Sequence, residues 1–297
     1  MAHDHASAAF HHRGRLTAVL CLSVAVLVVE LIGAAVANSL ALFADAGHVL
    51  TDVVGLGLAL VAIWLARRPA SSERTFGYLR LEIFAAVMNA GLLLLIGAVV
   101  LFEGLQRLSG QTQVASGPML AFALVGFVAN GLSLLLLRDG QRQSLNIRGA
   151  YLEVLGDLGG SAAVIVAALV IASTGWAWVD VAASILIGLL ILPRTISLLR
   201  DATSVLMEAT PKGVDIAHVR QHILEAPGVV DCHDLHAWTI TSGMNVVSAH
   251  VVLGNGADPV KALNALSDCL ADDFDIEHST FQLETEDRRR LEDASHA

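Results

Sequence analysis

The sequence predicts a membrane protein with a bundle of six transmembrane helices followed by a small α+β domain. The 297-residue chain is 55% hydrophobic and 15% charged, whereas soluble domains carry about a quarter charged residues. Its mean hydropathy is +0.65. Apolar stretches of about 20 residues, the length that crosses a bilayer as a helix, recur along the first two thirds of the chain. The last third instead has shorter helix and strand patterns.

The six predicted spans cover roughly residues 16–37, 40–66, 82–106, 117–137, 150–173 and 177–199. Nearly all arginines near span ends lie before the first span, in every second connection and after the sixth span; the opposite connections hold Arg107. Because basic residues near span ends favour the cytoplasmic side, both termini are predicted to be cytoplasmic. An even number of spans agrees with that orientation.

Four segments follow from these patterns. Residues 1–15 are predicted to be a mobile, histidine-bearing cytoplasmic tail, 16–200 the six-helix transmembrane domain, 201–285 a cytoplasmic domain and 286–297 a disordered tail. Within the cytoplasmic domain the patterns give the order α-β-β-α-β. Two helices on one face of a small antiparallel or mixed sheet would satisfy this order.

Charge and cysteine usage exclude some classes of protein. The net charge is −10, and no basic stripe is present to neutralise phosphates, so nucleic acid is not a predicted partner. Cys21, Cys232 and Cys269 are isolated in sequence. We therefore expect neither a disulfide framework nor a thiolate zinc site, and interpret the cysteines as packing residues.

Ionisable residues interrupt the second span. Asp45, His48 and Asp52 in ADAGHVLTD are spaced i, i+3, i+7 and share one helical stripe. A charge at the bilayer centre costs about 3 kcal/mol or more, so such residues face the bundle interior and are candidates for function. Span five offers Glu153 and Asp157 at i, i+4 in YLEVLGD.

Facing one another, the two spans would supply one imidazole and three carboxylates from His48, Asp52, Glu153 and Asp157. That is the number and kind of ligand a tetrahedral divalent transition metal accepts. The alternative is polar contacts that only join helices, at about 0.6–2 kcal/mol per pair; three carboxylates without a cation would repel one another. Asp45 is predicted to accept the imidazole N–H of His48 from outside the ligand set, or alternatively to cap the helix near the interface.

The sequence has neither H-E-x-x-H nor G-x-S-x-G, two motifs of metal- and serine-dependent hydrolases. Four ligands without a spare base favour binding and release of an ion over chemistry on a substrate, so we predict a carrier and not an enzyme. The metal is then cargo, and no cofactor is expected. A passive metal channel and a metal-dependent membrane enzyme are the alternatives.

Several stretches resemble one known family. SLALFADAGHVLTD, RTFGYLRLEIFAA, NIRGAYLEVLGDLGGS, GWAWVD and HDLHAWTITSG are similar to the cation diffusion facilitators, in particular to the CzcD-like branch of bacterial heavy-metal exporters. The resemblance implies a homodimer in the bacterial inner membrane with ferredoxin-like cytoplasmic domains. It also implies the exchange of cytoplasmic Zn²⁺, and often Co²⁺ or Cd²⁺, for protons. The partners of the protein are then a second copy of the chain, the transported ions and the lipids around the transmembrane helices.

Carried over by position, the family's intramembrane transport site falls on His48, Asp52, Glu153 and Asp157. Most zinc-transporting members of the family have histidine at the position of Glu153. The CzcD-like branch is similar to this chain in having glutamate there. A set of three carboxylates and one histidine is harder and more anionic, which predicts relaxed selectivity among Zn²⁺, Co²⁺ and Cd²⁺.

The resemblance also implies roles in the cytoplasmic part. The family binds regulatory metal at positions comparable to His233, His250, His278 and Glu284, which could instead be ordinary half-buried strand residues. Arg80 and Glu208 match positions that form salt bridges at the dimer hinge of relatives; alternatively, Arg80 anchors the headgroup region.

Other ionisable residues are not assigned to a site. Glu30, Glu82 and Asp180 could assist proton movement, but roles in helix packing and at helix ends account for them. His218 and His222, spaced i, i+4 on a polar helix face, could bind metal, but we interpret them as a solvated face.

Overall fold

The structure is a computed structural model that describes residues 5–66, 68–108, 113–138, 145–274, 276 and 278–290. Within these residues six helices are long and apolar enough to cross a membrane, which confirms the predicted bundle. They are α1 (His5–Ala37), α2 (Leu40–Ala66), α3 (Leu81–Leu108), α4 (Ser116–Leu137), α5 (Leu145–Thr174) and α6 (Trp178–Leu206).

The first helix begins earlier than the sequence predicts. Residues 5–15 were expected to be part of a mobile tail, but α1 starts at His5. No proline interrupts HASAAF, and alanine has the highest intrinsic helix propensity, so the apolar helix extends towards the N-terminus. Residues 1–4, including His3, lie outside the described residues. The last of the six helices, α6, continues to Leu206 and contains Pro193.

The chain divides into two compact units. The first consists of residues 1–60 and 88–199. Its core is a buried apolar cluster that includes Leu42 of α2, Met119 of α4 and Val164 of α5. Large apolar side chains such as Phe102 and Leu190 are exposed, as expected for a helix bundle whose outer surface meets lipid and not water.

The corner between α1 and α2 is fixed by a carboxylate from α6. Asn38 adopts a φ of 49° in the turn. Asp180, which is fully buried, accepts hydrogen bonds from Ser39 Oγ at 2.6 Å and from the backbone N–H groups of Leu40 and Ala41 at 2.7 and 3.1 Å. The first amides of a helix have no intrahelical partner, so Asp180 acts as an N-cap supplied by another helix. It holds the start of the helix that carries His48.

The second unit consists of residues 61–87 and 200–297. Its described elements are α7 (Ile216–Glu225), β1 (Val229–Thr241), β2 (Met244–Leu253), α8 (Pro259–Phe274), β3 (His278–Thr285) and α9 (Glu286–Arg289). β2 lies between β1, to which it is antiparallel, and β3, to which it is parallel. Ile223 of α7 and Leu266 and Leu270 of α8 are buried against the sheet in one cluster. The predicted α+β domain with a mixed sheet is confirmed.

The end of the chain differs from the prediction of disorder from residue 286. α9 covers Glu286–Arg289, and its first turn is capped because Thr285 Oγ1 accepts a hydrogen bond from the N–H of Arg288 at 3.3 Å. A threonine N-cap followed by two acidic residues is a favourable helix start. Residues 291–297 lie outside the described residues.

Two polar contacts link segments of the second unit that are distant in sequence. Arg80 Nη2 donates to Glu208 Oε1 at 2.8 Å, with Glu208 in the left-handed region at a φ of 55°. Glu82, in the first turn of α3, accepts hydrogen bonds from the hydroxyl groups of Thr241, the last residue of β1, and Ser242, in the turn that follows.

Candidate metal-binding sites

Three of the four predicted intramembrane ligands lie together. His48 Nε2 is 3.7 Å from Asp52 Oδ2 on the same helix and 3.6 Å from Asp157 Oδ1 on α5. The i, i+4 spacing of His48 and Asp52 places their side chains one above the other. One ligand atom from each of the three residues lies within 4.8 Å of the others. We call this group the intramembrane site.

The geometry of the intramembrane site suits a tetrahedral cation. With Zn–N and Zn–O bonds of about 2.0–2.2 Å, the nitrogen and oxygen ligands of a tetrahedron are separated by about 3.4 Å, close to the two observed distances. Asp52 Oδ2 and Asp157 Oδ1 are buried and have no hydrogen-bond partner among the described residues. A buried carboxylate oxygen without a donor is costly, and a cation between them would remove that cost.

Glu153 does not lie within this group, although the sequence predicted it as the fourth ligand. Its Oε1 accepts a hydrogen bond from Arg194 Nη2 at 2.7 Å. Glu153 is drawn away because Arg194, which follows Pro193 inside α6, brings its guanidinium group to the Glu153 carboxylate. In the sequence, the basic residues near the end of span six indicate only the orientation of the bundle.

The ion pair changes the charge balance of the site. Two ionised carboxylates, Asp52 and Asp157, with a neutral His48 carry a charge of −2, which one divalent cation cancels. Glu153 and Arg194 cancel each other separately. The four predicted ligands together would carry a charge of −3 when deprotonated; with Glu153 paired to Arg194, one divalent cation is enough to neutralise the remaining group, which is the less costly arrangement for buried charges.

Asp45 has a different partner from the one predicted. It does not accept from His48: its Oδ2 accepts from Ser161 Oγ of α5 at 3.1 Å, and His48 Nδ1 has no hydrogen-bond partner among the described residues. Asp45 lies close to the backbone of α5, because a Cβ on Gly160 would collide with its Oδ1. The prediction of an Asp45–His48 contact is wrong, since Ser161 and the space above Gly160 draw the carboxylate towards α5.

A second buried carboxyl group lies near Asp45. Glu30 of α1 is fully buried, and a Cβ on Gly126 of α4 would be 2.6 Å from Glu30 Oε1 and 3.4 Å from Ser161 Oγ. Glycine at position 126 therefore makes room for this carboxyl group. From the sequence, helix packing accounts for Glu30, with assistance to proton movement as the alternative. Its position within an apolar span was a signal for function, but no spacing in the sequence connects it with Asp45.

The second compact unit contains a second group of possible ligands. Glu284 Oε2 is 3.2 Å from His233 Nε2, and Glu284 Oε1 is 3.0 Å from His250 Nδ1. His233 and His250 are directly paired across β1 and β2, with ring centroids 5.0 Å apart. Gln282 Nε2 donates to Glu284 Oε1. We call His233, His250 and Glu284 the strand site.

His278 lies away from the strand site. It begins β3 opposite Val246 and its ring meets Phe76 edge to face at a centroid distance of 5.6 Å. His278 and Glu284 have the same parity on β3 and so share a face, but at about 3.3 Å per residue they are separated by about 20 Å. His278, which the family resemblance implied as a ligand, therefore does not join His233, His250 and Glu284 among the described residues of one chain.

The environment of Glu284 favours its ionised form. Burial of this carboxyl group works against ionisation. The hydrogen bonds from Gln282 and His233, and the electrostatic attraction of His250 and His233, outweigh burial and lower the pKa of Glu284 below its ordinary value. An ionised carboxylate between two imidazoles is a ligand set that a divalent transition metal accepts.

The chain has six candidate membrane spans with possible metal ligands between them, followed by a small α+β domain. This combination is typical of membrane metal transporters. The chain belongs to the cation efflux family: residues 16–207 match the cation efflux transmembrane domain and residues 211–286 match the cytoplasmic domain of cation efflux proteins. These matches confirm the family predicted from the sequence.

Similar proteins are named as transporters, not as enzymes, which confirms that prediction. The metal cation efflux system protein CzcD of Cupriavidus metallidurans is 44% identical over 99% of this chain and 93% of its own length. A cadmium, cobalt and zinc/H(+)-K(+) antiporter of Bacillus subtilis is 38% identical over 93% of this chain and 91% of its own length. The zinc transporter ZitB of Escherichia coli is 38% identical over 96% and 93%.

Solved structures similar to part of the chain include a cytoplasmic domain from one of these relatives. It is the metal-bound C-terminal domain of the CzcD transporter from the same Cupriavidus species, 46% identical, and the match covers 24% of this chain and 99% of that one with a TM-score of 0.23.

Proposed function

We propose that this protein exports divalent transition-metal cations, Zn²⁺ together with Co²⁺ and Cd²⁺, from the cytoplasm in exchange for protons. The observation that carries the proposal is the intramembrane site: one imidazole and two carboxylates on two spans, at the spacing of tetrahedral ligands, with buried oxygens that have no partner among the described residues. The names of the relatives support both the cargo and, for the Bacillus protein, the antiport.

Proton coupling follows from the chemistry of the ligands. A metal binds deprotonated ligands, so its arrival displaces protons and its departure allows them to return. When the cation leaves, Asp52 and Asp157 face one another in a low-dielectric setting, where two like charges repel strongly. Protons that enter from the outer side restore the charge balance. The same groups therefore carry the metal one way and protons the other.

Glu153 enters this cycle as an exchangeable ligand. In the arrangement described above it is bound to Arg194, one helical turn from Asp157. We propose that Glu153 leaves Arg194 to complete the coordination of the ion in part of the cycle, so that Arg194 and the metal compete for one carboxylate. Because the fourth ligand is a carboxylate and not an imidazole, the site accepts several transition metals.

The proposal places both termini in the cytoplasm of a bacterial cell and the bundle in its inner membrane, as the distribution of basic residues predicts. It also treats the protein as a homodimer. The Arg80–Glu208 pair then belongs to the hinge between the subunits, and an ion at His233, His250 and Glu284 favours the conformation of the cytoplasmic domains that binds it better.

Purified protein in proteoliposomes tests the function. Zn²⁺ uptake should increase with an imposed pH gradient, because protons drive the exchange. Asp157→Asn should abolish uptake, whereas Glu103→Gln, which neutralises a carboxylate of α3 outside the intramembrane site, should leave it unchanged. Zn²⁺ uptake that does not depend on the pH gradient would instead indicate a passive channel. Uptake by Asp157→Asn at the wild-type rate would refute the assignment of the intramembrane site.

The selectivity of the site needs its own comparison. In the same vesicles we expect Co²⁺ and Cd²⁺ to compete with Zn²⁺ for uptake. Glu153→His, which replaces the exchangeable carboxylate by an imidazole, should weaken competition by Co²⁺ and Cd²⁺ relative to Zn²⁺. Equal competition before and after the substitution would contradict the role given to Glu153.

A further inference from the structure

A third group of possible ligands lies on the helices of the cytoplasmic domain. His222 Nδ1 of α7 is 3.3 Å from Cys269 Sγ of α8 and 3.4 Å from Asp273 Oδ2. The Cys269 Sγ is 3.7 Å from the same oxygen of Asp273. Each of the three atoms thus faces the two others. We call these residues the helix site.

These three distances are those of one face of a coordination tetrahedron. With zinc bonds of about 2.3 Å to sulfur, 2.0–2.1 Å to nitrogen and 2.0–2.2 Å to oxygen, tetrahedral ligands of these three kinds are separated by about 3.4–3.6 Å. The observed separations of 3.3, 3.4 and 3.7 Å differ from those values by a few tenths of an ångström. An ion could enter with little movement of the side chains.

Helical spacing and side-chain packing both restrict the positions of the three side chains. Cys269 and Asp273 are four residues apart on α8, so their side chains lie on the same helical face. The His222 ring packs edge to face against Phe274, with ring centroids 5.1 Å apart, which restricts its rotation. The side chains of His222 and Asp273 are 36% and 54% exposed, so an ion and a fourth ligand can reach the group from solvent.

We propose that His222, Cys269 and Asp273 form a cytoplasmic site for soft transition-metal cations, separate from the strand site. Three protein ligands leave a fourth position open, as in zinc sites that exchange a bound water or another ligand. The thiolate makes the helix site softer than the two carboxylate- and imidazole-based groups. It should therefore favour Cd²⁺ over Zn²⁺ and Zn²⁺ over Co²⁺.

The thiolate gives this site an optical signature. Co²⁺ bound to sulfur has a charge-transfer band in the near ultraviolet that oxygen and nitrogen ligands lack. Cys232 should not contribute to it, because this residue is fully buried in the core of the domain, and burial raises the pKa of its thiol to about 11. Cys21 lies on α1, and its variant serves as a matched control.

The experiment is a titration of the full-length protein in detergent with Co²⁺, followed by displacement with Cd²⁺. We expect a saturable charge-transfer band whose final amplitude corresponds to one thiolate-bound Co²⁺ per chain and which disappears in Cys269→Ser. His222→Gln should lose most of the band, while Cys21→Ser and His218→Gln, the latter one turn away on the same helix, should retain it. Asp157→Ala should also retain it, which separates this site from the transport site.

Alkylation of Cys269 provides a readout that does not depend on the band. Cd²⁺ should slow modification of Cys269 by at least tenfold in the wild type and have no such effect in His222→Gln, with the modified residue located by peptide mass mapping. A band that persists in Cys269→Ser, or alkylation of Cys269 that Cd²⁺ does not slow, would overturn the proposal. A folded Cys269→Ser protein is verified by its unchanged elution in size-exclusion chromatography.

Discussion

The pairing of Arg194 with Glu153 makes a quantitative prediction for the transport site. If Arg194 and the metal compete for this carboxylate, Arg194→Gln should strengthen metal binding. The two side chains are 64% and 41% exposed in the bundle, so the pair belongs with exposed ion pairs, which contribute about 0.2–1 kcal/mol. Release of that energy corresponds to a decrease of about 1.4- to 5-fold in the half-saturating metal concentration. Removal of a positive charge near the cation acts in the same direction.

The assay is the initial rate of Zn²⁺ uptake into proteoliposomes as a function of Zn²⁺ concentration. Arg200→Gln is the matched control, because it removes an exposed arginine from the same helix two turns further on. In a double-mutant cycle, Arg194→Gln should have a much smaller effect in a Glu153→Gln background, since no carboxylate is left to release. A half-saturating concentration that stays the same or rises in Arg194→Gln would refute the competition, as would a full effect in the Glu153→Gln background.

Three further predictions concern Gly160, the cap at Asp180 and the Arg80–Glu208 pair. Gly160→Ala should impair transport, because its methyl group must displace a buried carboxylate at a cost of about 1–3 kcal/mol; Gly159→Ala, whose methyl group meets nothing within 4 Å, should transport normally in the same vesicle assay. Asp180→Ala should lower the thermal midpoint of the detergent-solubilised protein, since loss of an N-cap alone costs about 0.5–2 kcal/mol; an unchanged midpoint would contradict the capping role. Arg80→Glu should reduce transport and the cross-linked dimer fraction, and a combined Arg80→Glu/Glu208→Arg exchange should restore both, a rescue that would not occur if Arg80 only anchored lipid headgroups.

Local sequence patterns predicted the elements of this protein well. Apolar length identified the six spans, and period-two and helical patterns identified the α-β-β-α-β order, because both depend on residues close together in the chain. Spacing of four residues likewise placed His48 next to Asp52. The facing of His48 and Asp157 required only that two polar stripes avoid lipid, so it too could be anticipated.

The differences between the predicted and the observed contacts have a common physical origin, which is competition between partners on different helices. Glu153 has the right spacing to join Asp157, but Arg194 reaches it from α6. Asp45 has the right spacing to reach His48, but Ser161 and the open space at Gly160 are better placed. No pattern within one helix shows which distant side chain will arrive, or how far along a strand a residue such as His278 will lie from its expected partner.

The cap that Asp180 provides has a consequence for how the bundle assembles. The groups it binds, at residues 39, 40 and 41, precede it by 141, 140 and 139 positions. During synthesis the corner between the first two spans therefore leaves the ribosome long before its carboxylate exists, and its amides must rely on water or lipid headgroups meanwhile. The first hairpin is completed only when the sixth span inserts. Chains that end before that span should expose this corner and be preferred substrates for membrane proteases.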